Sequence, residues 1–500
     1  MYSAFYNLEQ YVTDKLVENN YSAALDSVRD FVVSMLHAQF SPGNINGSPK
    51  LDALCARIGA SYSVFAEKDK KIESGFAARN DRVLFICTGL YRYGGTSLVI
   101  ADLIKAHPGS ECTVIATDYL NDMTEQDISA ARIGDTSADL LTCPKGNAVS
   151  KLEWIIEQID QLEPARIFLL NHHQDSVIIA AVQPFLKKTK VLFYHHADYS
   201  MCLGVHLEGV THVDPHNVGY CNCREKELIR DNVYLPLVVR DKLSNRSGAI
   251  FIENDELITC SCATFHKFAA FYLYPYTSLI VDRLVVRSGI HIHVGNIPNG
   301  YLVSIKAELA QKGVDPQRFV HVPWVKDLWE LLIEKKVDLF IASFPIGGAR
   351  TTLEVMGAGI PILIAENYLT RFHSSRDIVY PNALTWKYPH QFLEALKAVS
   401  SEILKAHSIR SRAHYLAHYC FESSGIGDEI NLICAGTPTF EPPPLYSYEP
   451  DNLDRALHFS HLEHSTRGAG ASPASVLGNL RSSGVITRMA RSTMKLIKRT

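Results

Sequence analysis

The sequence has no uninterrupted apolar segment long enough to cross a bilayer, so no membrane-spanning helix is expected. Residues Met1 to Gln10 lack the basic start and apolar stretch of a secretory leader, and a cytoplasmic location is expected. Neither sign of charge dominates. Forty-nine lysines and arginines face 53 aspartates and glutamates, and the net charge of −4 gives no general argument for nucleic acid. A G-x-x-x-x-G-K-S/T stretch is missing, which argues against an NTPase. Also missing is an Asp-x-Asp pair of the kind that holds a divalent ion on a sugar nucleotide. The 11 cysteines are odd in number and scattered, several of them in apolar strands (Cys87, Cys112, Cys260). That is reduced core cysteine rather than a disulfide framework. Cys221-Asn-Cys223 and Cys260-Ser-Cys262 are C-x-C pairs, with His212 and His216 near the first. A metal site can be imagined there, but no set has zinc-finger spacing. Both pairs are read as structural, with no metal ligands and no cofactor expected.

What is present describes a globular protein of more than one core. At 500 residues the chain exceeds one ordinary domain, and its 47% hydrophobic and 20% charged content is that of a soluble fold. Residues 1–75 read as helical, with Leu16, Leu25, Val28, Val32, Val33 and Leu36 near helical spacing. Residues 76–245 alternate strand and helix: Val83 to Cys87, Cys112 to Thr117, Arg166 to Leu170 and Val191 to Tyr194 as strands, Lys151 to Leu162 as helix. A second such series covers 246–435. Its expected strands are Glu256 to Cys260, Asp282 to Val286, His291 to Val294, Phe319 to Val322, Val337 to Ala342 and Ile360 to Ala365. Helices are expected over Tyr301 to Lys312 and Lys326 to Lys335. Such alternation predicts an α/β fold of two tandem Rossmann-like, doubly wound domains, with ligands at the carboxyl ends of the strands. Residues 436–500 form a linker and tail.

The most informative stretch runs from Ser343 to Pro361. A hydrophobic strand meets the turn Gly347-Gly348, a helix is expected to open at Thr351 and Thr352, and a second apolar strand follows. Strand, glycine turn and helix N-terminus together hold phosphate, because free N–H groups and the helix dipole meet where the backbone is bare. The hydroxyls of Thr351 and Thr352 can cap the helix. Glu354, in the expected first turn, is placed to accept from sugar hydroxyls. Other loops follow strands in the same way: Gly94-Gly95-Thr96, Asn171-His-His173 and His195-His-Ala-Asp198. The glycine pair at 94–95 is not the G-x-G-x-x-G dinucleotide pattern.

With this layout, three motifs resemble the GT-B glycosyltransferases, closest to the O-GlcNAc transferase and bacterial cytoplasmic N-glycosyltransferase type. The similarity is best over Glu256 to Arg371 and weaker over Arg82 to Leu203. Gly347 to Pro361 is similar to the family's glycine, threonine, acidic residue and A-G-x-P pattern. This implies diphosphate binding by the N–H groups around Arg350, Thr351 and Thr352, and ribose contact by Glu354. Ala349 departs from it, standing where the O-GlcNAc transferase pattern has histidine. Leu257 to Phe268 resembles the segment in which a lysine meets the donor's phosphates, which makes Lys267 the candidate for neutralising the leaving diphosphate, with Ser261 in the same donor-binding loop. Spacing alone reads Lys267 as a solvated helix-start residue. Phe193 to Gly204 is similar to a His-Ala-Asp segment, so that His196 or Asp198, with His195 as substitute, would be the base for an acceptor hydroxyl. His206, His212 and His216 compete, and a histidine bonded to backbone at a strand end is the rival reading for each. By the same resemblance, Gly94 and Gly95 face the donor or acceptor, and His321 to Trp324 line the base pocket; the plain alternative is a strand end packed by Trp324.

The resemblance implies an inverting, metal-independent transfer of a hexosyl or N-acetylhexosaminyl group from a nucleotide-diphosphate sugar, of UDP type, to a glycan, lipid-linked glycan or protein acceptor. A non-catalytic GT-B-like binding module and a UDP-sugar epimerase stand as alternatives. Residues 485–500, basic and apolar in alternation, suit either an anionic membrane surface with peripheral attachment or a solvated, disordered end.

Overall fold

The computed structural model describes residues 3–36, 43–69, 76–91, 95–130, 133, 136–269, 274–367, 369–446, 448 and 450–456. Gly94 and the basic tail at 485–500 lie outside the described residues. The chain divides into two compact units, Met1–Arg240 with Phe421–Leu445, and Asp241–Cys420 with Tyr446–Thr500.

The first unit is built on a seven-stranded parallel sheet: β1 (Arg79–Cys87), β2 (Glu111–Ala116), β3 (Asp139–Thr142), β4 (Pro164–Leu170), β5 (Lys190–Tyr194), β6 (Thr211–Asp214) and β7 (Val233–Tyr234), in spatial order β3-β2-β1-β4-β5-β6-β7. The central strands read as continuous hydrophobic runs because helices cover both faces; Val83 to Cys87 is buried throughout. The helices Ala4–Val17, Tyr21–Leu36 and Pro49–Asp69 pack on this sheet and share one core with it, Val28, Val32, Leu54 and Ile58 lying in the same cluster as Leu84, Ile86 and Ile167. Gly59 permits the contact: a Cβ there would stand 2.2 Å from the Ala180 carbonyl oxygen. Asp52, in the first turn of Pro49–Asp69, accepts from the amides of Gly204 at 2.7 Å and His206 at 2.8 Å. Residues 421–445 return to this unit, the Phe421 amide donating to the Val239 carbonyl at 3.0 Å.

The second unit carries a six-stranded parallel sheet: β8 (Thr259–Cys262), β9 (His291–Val294), β10 (Phe319–Val322), β11 (Leu339–Ile341), β12 (Ile362–Ala365) and β13 (Leu384–Trp386), in order β10-β9-β8-β11-β12-β13. Counted within each unit, the strand order reverses beside the first strand, between β1 and β4 and between β8 and β11. That reversal is where a doubly wound sheet opens a crevice at its carboxyl edge. The expected fold class of two Rossmann-like domains is therefore the observed one.

One expected strand is wrong. Asp282 to Val286 belongs to the helix Tyr276–Val286, which buries Tyr276, Leu279, Ile280 and Leu284. That spacing is helical, and packing along one helix face overrides the strand preference of the β-branched residues.

Candidate active site

In the second unit the loop after β8 and the loop after β11 meet at the reversal point. Lys267 sits in the short helix His266–Ala269, and its Nζ donates to the Gly347 carbonyl at 3.0 Å. The helix after β11 runs Ala349–Gly357, with Gly348 as N-cap and no side-chain cap. It opens earlier than the expected Thr351. A helix leaves its first-turn N–H groups without intrahelical acceptors, so the N-terminus faces the lysine with its positive end. A Cβ built on Gly348 would lie 3.5 Å from both Lys267 Nζ and Thr351 Oγ1, which puts amine, hydroxyl and bare glycine on one surface. Gly347 has a different reason to be glycine: a Cβ there would stand 2.3 Å from Ser375 Oγ and 3.0 Å from the His373 carbonyl oxygen.

The electrostatics are one-sided. Among the described residues no carboxylate pairs with Lys267. Burial lowers its pKa, and only the Cys262 thiol pulls the other way. His373 is pushed down to about 4 by burial and by Lys267. Cys262 is pushed up to about 12 by burial and by the Glu354 carboxylate. A half-buried ammonium, the His373 imidazole held neutral and a helix end with no side-chain cap thus surround one small region.

Several expected contacts are differently occupied. Thr352 does not cap: it is buried and its hydroxyl bonds the Gly348 carbonyl at 2.7 Å. Ser261 is fully buried and donates to the Ile341 carbonyl at 2.8 Å, bracing β8 to β11 instead of facing a ligand. Glu354 falls in the second helical turn, 3.5 Å from Arg350 Nε. His321, on β10, places Nε2 at 2.8 Å from the Gly295 carbonyl oxygen, and Trp324 just beyond is half-buried.

In the first unit, the carboxyl edge of the sheet carries Gly95, which opens the helix Gly95–Lys105, together with the histidines after β4 and β5. His195 is fully buried among His212, Asp214 and Cys223, so it cannot substitute as a base toward solvent. His196 is half-buried, with Nδ1 at 3.3 Å from the Tyr194 carbonyl oxygen. The Asp198 carboxylate is bonded to His216 Nδ1 at 2.9 Å. His216 precedes the helix Asn217–Glu225, and Gly219 on that helix leaves room for the pair: a Cβ there would stand 2.6 Å from Asp198 Oδ2. Asp198 therefore orients His216, which the sequence marks only as a competitor. His206 is paired with Glu227 at 2.9 Å.

No protein-family model matches the chain, and no curated protein matches it. Solved structures do. A glycosyltransferase from Rickettsia africae aligns with a TM-score of 0.54 at 11% identity, over 71% of this chain and 98% of its own. Anabaena HepE in complex with UDP aligns at 0.53 and 10% identity, over 71% and 99%. The lipopolysaccharide outer core galactosyltransferase WaaB aligns at 0.51 and 13%, over 71% and 99%. At these identities the likeness defines the fold, and the fold is the tandem Rossmann-like architecture of the GT-B glycosyltransferases. Among the described residues no helix is long and apolar enough to cross a membrane.

Proposed function

We propose that the chain is an inverting, metal-independent glycosyltransferase that moves a hexosyl or N-acetylhexosaminyl group from a UDP-type sugar donor to a hydroxyl of a glycan, lipid-linked glycan or protein. The observation that carries this reading is Lys267. An ammonium with no carboxylate partner among the described residues, beside a helix N-terminus with no side-chain cap, leaves two positive features facing one space. A diphosphate supplies the missing negative charge, as anions do at helix N-termini. HepE, of the same fold, is described in complex with UDP and with UDP-glucose, which supports the same donor class here.

In this mechanism the acceptor oxygen bonds to the anomeric carbon from the face opposite the diphosphate, and the carbon–oxygen bond to UDP breaks with its electron pair leaving on the phosphate. Lys267 and the amides of Arg350 and Thr351 take up the charge that develops there, the Thr352 amide being already bonded to the Gly348 carbonyl at 3.1 Å. Glu354 holds the ribose, and His321 to Trp324 line the base. In the first unit His216, oriented by Asp198, accepts the acceptor proton.

Titration calorimetry with UDP and GDP tests the donor site, with UDP expected to bind. Incubation with UDP-sugars, with and without hydroxyl acceptors, should yield transfer with inverted anomeric configuration and a rate indifferent to added magnesium or manganese. Absence of nucleotide binding would leave a non-catalytic module. Conversion of the donor sugar without acceptor would make the protein an epimerase.

A further inference from the structure

Four side chains that the proposed reaction does not use converge inside the first unit. His195 follows β5, His212 and Asp214 lie on β6, and Cys223 is on the helix Asn217–Glu225. All four are buried, and their nearest donor atoms lie within 4.8 Å of one another. Asp214 Oδ1 is 3.2 Å from His195 Nδ1 and 3.2 Å from His212 Nε2. Cys223 Sγ is 3.4 Å from His195 Nδ1 and 3.4 Å from Asp214 Oδ1. A tetrahedral zinc ion with bonds of about 2.0–2.3 Å holds its nitrogen, oxygen and sulfur ligands about 3.4–3.6 Å apart. Four of the six ligand pairs are already within a few tenths of an ångström of that spacing, and all six lie within 4.8 Å.

We propose that these residues form a structural zinc site. The hydrogen bonds fit a cation there. His212 Nδ1 lies 3.1 Å from the Val205 carbonyl, which can only accept, so this nitrogen carries the proton. In the neutral ring Nε2 then presents a lone pair toward Asp214 Oδ1, so the contact needs a positive centre, either a second proton on the imidazole or a metal ion in its place. The Val205 bond fixes the tautomer that a metal ligand needs. Asp214 is held from behind as well: its Oδ2 accepts from Asn232 Nδ2 at 2.6 Å, and Asn232 Oδ1 accepts from Arg224 at 2.7 Å. Charge closes the account. A Cys223 thiolate, its proton released to solvent, and the Asp214 carboxylate bring two negative charges to an interior that zinc neutralises, with two neutral imidazoles completing the set. Mixed nitrogen, sulfur and oxygen donors suit zinc among the common divalent ions. Four protein ligands and full burial make the site closed, hence structural, and independent of the transferase reading. It would staple the ends of β5 and β6 to the helix that carries His216 at its start.

The test uses the full chain, produced in zinc-supplemented medium without a histidine tag and washed with a chelator to strip surface metal. Elemental analysis should find about one zinc per chain, as expected of a buried structural site. Cobalt-reconstituted protein should show the visible bands of a tetrahedral site and a thiolate-to-cobalt charge-transfer band, the latter lost in Cys223→Ser. Should that variant fail to fold, the cobalt spectrum of the unaltered protein still reads sulfur ligation. Asn232→Ala, which removes the outer bond to Asp214 along with those to Arg224 and the Tyr220 carbonyl and leaves all four ligands in place, should weaken zinc binding about 10–100-fold. Folded protein that holds less than about a tenth of an equivalent of zinc, against the near-stoichiometric loading of a structural site, overturns the assignment. So does stoichiometric iron or nickel in its place, a cobalt form without a thiolate band, or undiminished zinc in a folded Cys223→Ser variant.

Discussion

Replacing Lys267 by methionine keeps the length of the side chain and removes its charge. In the free protein the ammonium gives one hydrogen bond, to the Gly347 carbonyl, and is disfavoured by burial, which lowers its pKa. Loss of the bond costs about 1 kcal/mol, and relief from burying an uncompensated charge offsets it. Stability should therefore stay within about 1 kcal/mol of the unaltered chain, or rise. The transition state behaves differently. As the bond to UDP breaks, negative charge grows on the phosphate, and removal of one preorganised donor from such a site lowers kcat about 10²–10³-fold, or roughly 3–4 kcal/mol. Turnover is read by UDP release in the presence of acceptor, and stability by thermal and urea unfolding of the same preparations. The reasoning fails if Lys267→Met transfers sugar at the original rate, or if its lost activity merely follows a loss of several kcal/mol in folding.

Three further outcomes are expected. UDP should bind with net proton uptake: His373 lies at about 4 and Lys267 below its ordinary value in the free protein, and a nearby diphosphate raises both. Affinity then falls as pH rises, and calorimetry in buffers of different ionisation enthalpy should report uptake; proton release would contradict the placement of the diphosphate. His216→Gln should lower kcat about 10²-fold or more, the contribution of a general base, while leaving the UDP dissociation constant in place; weakened UDP binding would instead point to a structural role. Asp52→Ala strips the acceptor from the amides of Gly204 and His206 and should cost about 2–4 kcal/mol in urea unfolding; a loss below about 0.5 kcal/mol would mean that both amides find other partners.

The strand, turn, helix and strand around Gly347 were legible because they lie close together in sequence. Val337 to Ala342, the glycine pair and Ile360 to Ala365 signal strand, turn and strand in order, and β11, the helix Ala349–Gly357 and β12 follow them. What Ser261 and Thr352 do was not legible. Both are small polar residues in the right loops, and only the fold shows their hydroxyls bonded to backbone carbonyls. The partner of Asp198 was hidden for another reason: His216 is 18 residues away and is brought near by β6, a four-residue strand too short to show its own periodicity. The His195, His212, Asp214 and Cys223 cluster has no compact sequence signature, since its donors spread over 28 residues, from the loop after β5 through β6 to the helix Asn217–Glu225. Asp282 to Val286 misled in the opposite way, through local strand preference that packing overruled.

The route of the chain has a practical consequence. It leaves the first unit after Arg240, comes back at Phe421 and departs again after Leu445. Neither half is therefore a continuous stretch that can be cut out and expressed. A truncation after about residue 420 would remove the helix Ile426–Ala435, whose Ile426, Ile430 and Ile433 are buried, and would bare the surface they cover. Deletion mapping that blames such a loss on the second unit would be reading damage to the first.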